Sequence, residues 1–190
     1  RKNATNRIMT SSASKVKPLM AKRGLGAGAD TYALQIIGEE LTQEPISDYN
    51  NWQMEWGNEY EPIARDIYHE KIAPVRLIGG FDDGLLWYSP DGIVGDDGLL
   101  EIKCPQITQH LRNLASIEVD SDYMDQIQFG LMLTDRNWCD FISFHPNVPF
   151  AYQFKLIRVH RNEVYIELMQ SRLEEMKQLI SEWKIKLNII

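Results

Sequence analysis

No acidic residue occurs before Asp30, no apolar run approaches a membrane span, and Cys104 and Cys139 are the only two cysteines in 190 residues. Each scarcity excludes something. Two thiols cannot staple a small fold and lack the paired spacing of a metal site, so both are expected as buried thiols in a reducing compartment. A membrane helix needs about 20 consecutive apolar residues, and no short apolar run follows a basic start as it does in a secretory signal. A soluble, intracellular protein is expected. The four histidines, His69, His110, His145 and His160, show no ligand spacing and are expected at the surface or as satisfied core residues. Repeats, low-complexity tracts and a dividing linker are lacking as well, and with 44% hydrophobic residues the chain is expected to form one domain with a sizeable core.

The missing acids at the head matter because the bases are there. Residues 1–29 carry Arg1, Lys2, Arg7, Lys15, Lys17, Lys22 and Arg23, whereas the remainder carries 13 bases against 27 acids. The net charge of −7 therefore hides a cationic arm on an acidic body. An arm that clamps phosphates beside a body that holds cations has this distribution; so does a flexible basic tail or a transit peptide. The chain does not begin with methionine, and residues before Arg1 are expected.

Ser12 or Ser14 can cap a short helix toward Met20, ended by the glycine-rich loop at 24–28. Helical spacing predicts a second helix over 30–41 and a third that carries the stripe Tyr60, Ile63, Ala64, Ile67 and Tyr68. Pro62 lacks a backbone donor, so this third helix is expected to begin or kink near it, with Glu61 at the irregularity. Strands are expected at 75–78, 85–89, 92–94 and 99–104 as a hairpin-rich meander with Asp-Asp-Gly turns. Helices over 106–115 and 122–133 follow, then strands at 138–144 and 152–160. A last helix is capped by Asn162 and striped with Met169, Leu173, Met176, Ile180, Trp183 and Leu187. Trp52, Trp56 and Trp87 are expected to pack rather than stack on bases.

The chemistry gathers at Ser89-Pro90-Asp91-Gly92 and Leu99-Leu100-Glu101-Ile102-Lys103-Cys104-Pro105. Strand alternation puts Glu101 and Lys103 on one face, about 6.6 Å apart, with Leu100, Ile102 and Cys104 on the other. An Asp-Gly turn or a Glu-x-Lys strand alone is ordinary structure. An acid and a base inside an otherwise apolar run, facing a second acid, need partners or a cation. Carboxylates suit hard Mg²⁺ or Mn²⁺, and a lysine beside them can orient a water and offset charge on a phosphate.

Trp56-Gly57 with Glu61, Ser89-Pro90-Asp91-Gly92, Leu100-Glu101-Ile102-Lys103-Cys104-Pro105 and Tyr123-Met124-Asp125-Gln126-Ile127-Gln128 resemble, in order and spacing, the successive motifs of the lambda-exonuclease and YqaJ-type viral recombinase nucleases of the PD-(D/E)xK superfamily. The resemblance implies an α/β fold with a restriction-endonuclease-like core, a central mixed β-sheet flanked by helices. It implies metal ligation by Asp91, Glu101 and the Ile102 carbonyl, with Glu61 helping to hold metal or water. Lys103 would be the catalytic lysine, Gln126 would position water or phosphate, and Tyr123 would line the same site. Met9-Thr10-Ser11-Ser12 is similar to the family segment that meets the DNA end, which gives Thr10 and Ser12 DNA contacts. Thr5 stands nearest the family's upstream arginine, whose role falls to Arg7 or Arg23. The implied activity is Mg²⁺-dependent 5′-to-3′ digestion of linear duplex DNA, with Mn²⁺ able to substitute, leaving a 3′ overhang for recombination. The implied setting is a phage or prophage protein in the cytoplasm of a bacterial host, a trimeric ring around DNA and a single-strand annealing partner. The same residues leave open an endonuclease, an exonuclease of opposite polarity, or a non-catalytic DNA-end-binding or annealing-partner module.

Overall fold

The computed structural model describes residues 18–20, 24–44, 52–82 and 86–189. The expected helix before Met20 falls mostly outside them, and so do Arg7, Thr10, Ser12 and Arg23. The elements run α1 (Ala29–Thr42), α2 (Trp52–Lys71), β1 (Val75–Arg76), β2 (Phe81–Asp82), β3 (Trp87–Tyr88), β4 (Gly92–Val94), β5 (Gly98–Lys103), α3 (Ile107–Ala115), α4 (Ser121–Thr134), β6 (Trp138–Phe144), β7 (Phe154–His160) and α5 (Glu163–Lys186).

Five strands form one mixed sheet in the order β1-β4-β5-β6-β7. Only the β5–β6 pair is parallel, reached by the crossover through α3 and α4. The anticipated meander is corrected here: β2 and β3 pair with each other in a separate two-stranded sheet, and β1 passes over them to β4. Strand alternation reports which face is apolar and says nothing about which strand lies alongside. The strands expected at 75–78 and 85–89 shrink to two residues each.

Alternation on the central strands builds two cores. Leu99, Cys139, Phe141 and Val159 face α1, α4 and α5, meeting Ile37, Ile127, Leu131, Met169 and Met176. Leu100, Ile102, Ile142 and Phe144 point the other way, onto Ala64 and Tyr68 of α2. That second contact explains why α2 continues through Pro62 rather than starting there: the proline and Ile63 lie on the exposed side while Ala64 and Tyr68 are buried, so packing outweighs one lost backbone bond. Leu19 is fully buried with α1, and the Pro18 carbonyl accepts from the Gly26 N–H at 2.7 Å.

Asn162 caps α5 as anticipated, its Oδ1 accepting from the Tyr165 N–H at 3.1 Å. The α5 stripe is buried through Ile180 and fades at Trp183 and the exposed Leu187. Behind the sheet, buried Asp140 accepts from Arg158 Nε and Nη2 at 2.7 and 2.8 Å and from the Tyr68 hydroxyl at 2.6 Å. These bonds fasten β6 to β7 and α2. Among the described residues no helix is long and apolar enough to cross a membrane.

Candidate active site

Glu101 is the hub. It lies in the middle of β5 with only 1% of its surface exposed, a position a carboxylate holds only with partners. Its Oε1 accepts from Lys103 Nζ and from Gln126 Nε2 of α4, each at 2.6 Å. Its Oε2 faces the Tyr88 hydroxyl at 3.3 Å. The expected convergence of Glu101 with Lys103 is present, and Gln126 joins it from the helix that sequence spacing placed there.

Asp91 enters from the turn before β4. Gly92 lies opposite Leu100, which sets the preceding residue across from Glu101. A side chain at Gly92 would meet Val75 Cγ1 at 2.3 Å, so only glycine lets β4 pair so closely with β1 here. Asp91 Oδ2 accepts from the Ile102 N–H at 2.6 Å, so the contact seen at Ile102 is through its amide. From α2, Glu61 is bonded to Arg65 one turn on, and its carboxylate feels Glu101 and Lys103. Tyr123 is half-buried, stacked on Phe141 with ring centroids 5.2 Å apart, and within electrostatic reach of Lys103.

The charges do not balance comfortably. Burial, then repulsion from Glu101, pushes the Asp91 carboxyl well above the usual carboxylate range. Burial also raises Glu61, with Arg65 opposing and Glu101 reinforcing the shift. Burial alone would lower Lys103, but Glu101 and Asp91 overcome it and hold the ammonium above its ordinary value. The Cys104 thiol is pushed up to about 12 by burial, then by Glu61 and Asp91. It is half-buried rather than buried as expected, whereas Cys139 is fully enclosed.

Three carboxylates with one lysine and one arginine form an all-oxygen donor set still short of positive charge, which fits a hard divalent cation. Among the described residues no group of three His, Cys, Asp or Glu side chains could hold a metal ion by itself. Mg²⁺ usually takes one or two carboxylates and keeps the rest of its shell for water and substrate phosphate.

Other expectations divide. His110 is fully buried and satisfied, Nε2 donating to the Tyr152 carbonyl at 2.8 Å and Nδ1 then accepting from the Ser143 hydroxyl at 2.9 Å. Trp56 packs on Tyr60 and His145, with ring centroids 4.4 and 5.6 Å away. Trp52, expected to pack, is 55% exposed at the first turn of α2. Sequence reasoning passed over two contributors, Tyr88 and Arg65. Arg65 was legible as the i+4 partner of Glu61; Tyr88, three residues before Asp91, carried no local signal.

A carboxylate pair, a lysine and a glutamine thus meet on the central strand of a mixed sheet flanked by helices. The chain belongs to the YqaJ-like viral recombinase domain family, whose sequence profile matches residues 5–137. Its structure is similar to that of the alkaline exonuclease LHK-Exo from Laribacter hongkongensis, at 30% identity and a TM-score of 0.80 over 98% of this chain and 96% of that one. Against the same enzyme in complex with dAMP, identity and coverage are unchanged and the TM-score is 0.83. The phage-related exonuclease of Haemophilus somnus 129PT shares the fold at 12% identity and a TM-score of 0.77, over 94% of this chain and 96% of that one. No curated protein matches the chain.

Proposed function

We propose that this protein is a Mg²⁺-dependent exodeoxyribonuclease that digests one strand of linear duplex DNA from its 5′ end and leaves a 3′ single-stranded overhang for recombination. The observation that carries the reading is the convergence of Asp91, Glu101 and Lys103, with Gln126 and Glu61, on one buried, cation-deficient spot. The likeness to LHK-Exo, an alkaline exonuclease that has been crystallised with dAMP, supports the same class of substrate.

Asp91 and Glu101 would hold the metal, with the Ile102 carbonyl and Glu61 completing the set; Mn²⁺ would substitute. When bound, Mg²⁺ supplies Lewis acidity toward the phosphate and lowers the pKa of an attacking water. Lys103, anchored on Glu101, aligns the nucleophile and offsets charge building on the phosphate. Gln126 fixes the carboxylate on its helix side and presents its amide to water or phosphate. Tyr123 would line the same site. Arg7, Thr10, Ser12 and Arg23 would supply hydrogen bonds and charge to the terminal phosphate. A trimeric ring around the duplex and a single-strand annealing protein complete the proposed setting.

The test is digestion of linear duplex labelled separately at each 5′ and 3′ end, with Mg²⁺, beside closed circles. Early release of 5′ label from linear DNA and inert circles are expected. Early release of 3′ label would reverse the polarity, and cutting of circles would replace the exonuclease reading with an endonuclease.

A further inference from the structure

Resting on that metal-site reading, we infer that Tyr88 is a positioning residue for Glu101, and that the β2–β3 hairpin and Gly130 exist at this site to place its hydroxyl.

Glu101 has two carboxylate oxygens with unequal duties. Lys103 and Gln126 both load Oε1, whereas the Tyr88 hydroxyl donates to Oε2 at 3.3 Å. A carboxylate held through one oxygen can still swing about its last bond; a contact on the second oxygen fixes the plane in which a cation must find it. Outer-shell hydrogen bonds of this kind orient metal ligands and tune their affinity.

The surroundings of Tyr88 are built for placement. Its ring is 1% exposed and meets Phe129 edge-on, centroids 6.4 Å apart. It comes from β3, which pairs with β2 and not with the five-stranded sheet, so the phenol is delivered to Glu101 from outside the sheet that carries the other groups. Across from it, Gly130 of α4 leaves the space: a Cβ there would lie 2.5 Å from Tyr88 Cζ and 2.7 Å from its hydroxyl oxygen. Gly130 is one turn beyond Gln126, so one helix grips Oε1 directly and sets Oε2 through the room it leaves for Tyr88. Glycine inside a helix is less favourable than alanine, and the clash an alanine would make with Tyr88 accounts for its use.

The experiment is Mn²⁺ titration of wild-type, Glu101→Ala, Tyr88→Phe and Gly130→Ala proteins by calorimetry without DNA, followed by steady-state digestion of linear duplex. Tyr88→Phe keeps the ring and removes only the hydroxyl. It should weaken Mn²⁺ binding and lower kcat by about tenfold, the low end for an outer-shell group given the long contact, with KM for DNA unchanged. Gly130→Ala should lose at least as much while keeping the wild-type circular dichroism spectrum. Tyr88→Phe within twofold of wild type in both readouts would overturn the role of Tyr88 and leave the metal site standing. Wild-type Mn²⁺ binding that survives Glu101→Ala would overturn the metal site and this role together.

Discussion

Asp91 shows what one residue gives up for a site of this kind. Its carboxylate is fixed by the Ile102 N–H, yet burial and Glu101 raise its folded pKa well above the value it has unfolded. Above the unfolded value, near 3.9, the unfolded chain sheds this proton more readily than the folded one. Stability of the metal-free protein therefore falls as pH climbs from there through the raised folded pKa. Asp91→Asn keeps an acceptor for Ile102 and removes the charge. It should abolish Mg²⁺-dependent digestion and raise the metal-free Tm at pH 7 by at least about 2 °C, the shift that 1 kcal/mol produces in a domain of this size. Lys103→Ala should move stability the other way, by on the order of 3 kcal/mol, because it strands Glu101 beside Asp91. It should lose turnover while Mn²⁺ still stabilises it. Scanning calorimetry with and without Mn²⁺ reads all of this, and an Asp91→Asn protein less stable than wild type would refute the electrostatic account.

Between elements, the junction of α2, α3 and β6 rests on His145. Its ring sits between Trp56 of α2 and His110 of α3, buried, with Nδ1 accepting from the Asn147 N–H at 3.3 Å. Burial, then the neighbouring His110, holds its pKa below the usual histidine value. The unfolded chain takes up this proton first on acidification, so the stability contributed by neutral His145 is present above about pH 6.5 and is lost as pH falls through the folded pKa. His145→Asn keeps an acceptor and cannot titrate. Its unfolding free energy, measured in urea between about pH 7 and 5, should decline less steeply than that of wild type; parallel curves would mean another group governs the acid limb. The reach of sequence reasoning also divides at this scale. Strand β6 has the expected ends because Trp138–Phe144 is a mostly apolar segment that contributes to both cores. The Asn162 cap and the Glu101–Lys103 face were legible because each depends on spacing within one element. The detached β2–β3 sheet, the parallel β5–β6 pair and the path of α2 through Pro62 were not, since each is decided by what packs from elsewhere in the chain. Tyr88 went unseen for the same reason: its partner is 13 residues away, and its space is made by a glycine on α4.

At the scale of the molecule, charge separation poses the sharpest question. The body beyond residue 29 has 13 bases against 27 acids, so on average it repels a polyanion while its centre lacks positive charge. On the proposed reading, the seven bases of residues 1–29 are the counterweight. Each phosphate a lysine or arginine neutralises contributes about −0.9 to the slope of log affinity against log salt. The packing decides where the arm can be cut: Leu19 is part of the main core and Pro18 is bonded to Gly26, so a deletion through residue 23 would damage the fold as well as remove charge. Removing residues 1–17 takes away Arg1, Lys2, Arg7, Lys15 and Lys17 and spares that contact. The truncated protein should bind linear duplex with a slope shallower by up to about 4.5 and should show its largest loss of affinity at low salt, where counterion release favours the untruncated chain most. Fluorescence anisotropy of labelled duplex across a salt series, with Ca²⁺ in place of Mg²⁺ to suppress cleavage, measures both slopes. A slope unchanged by the deletion would reduce the segment to a passive basic tail and return DNA affinity to the acidic body and whatever cation it holds.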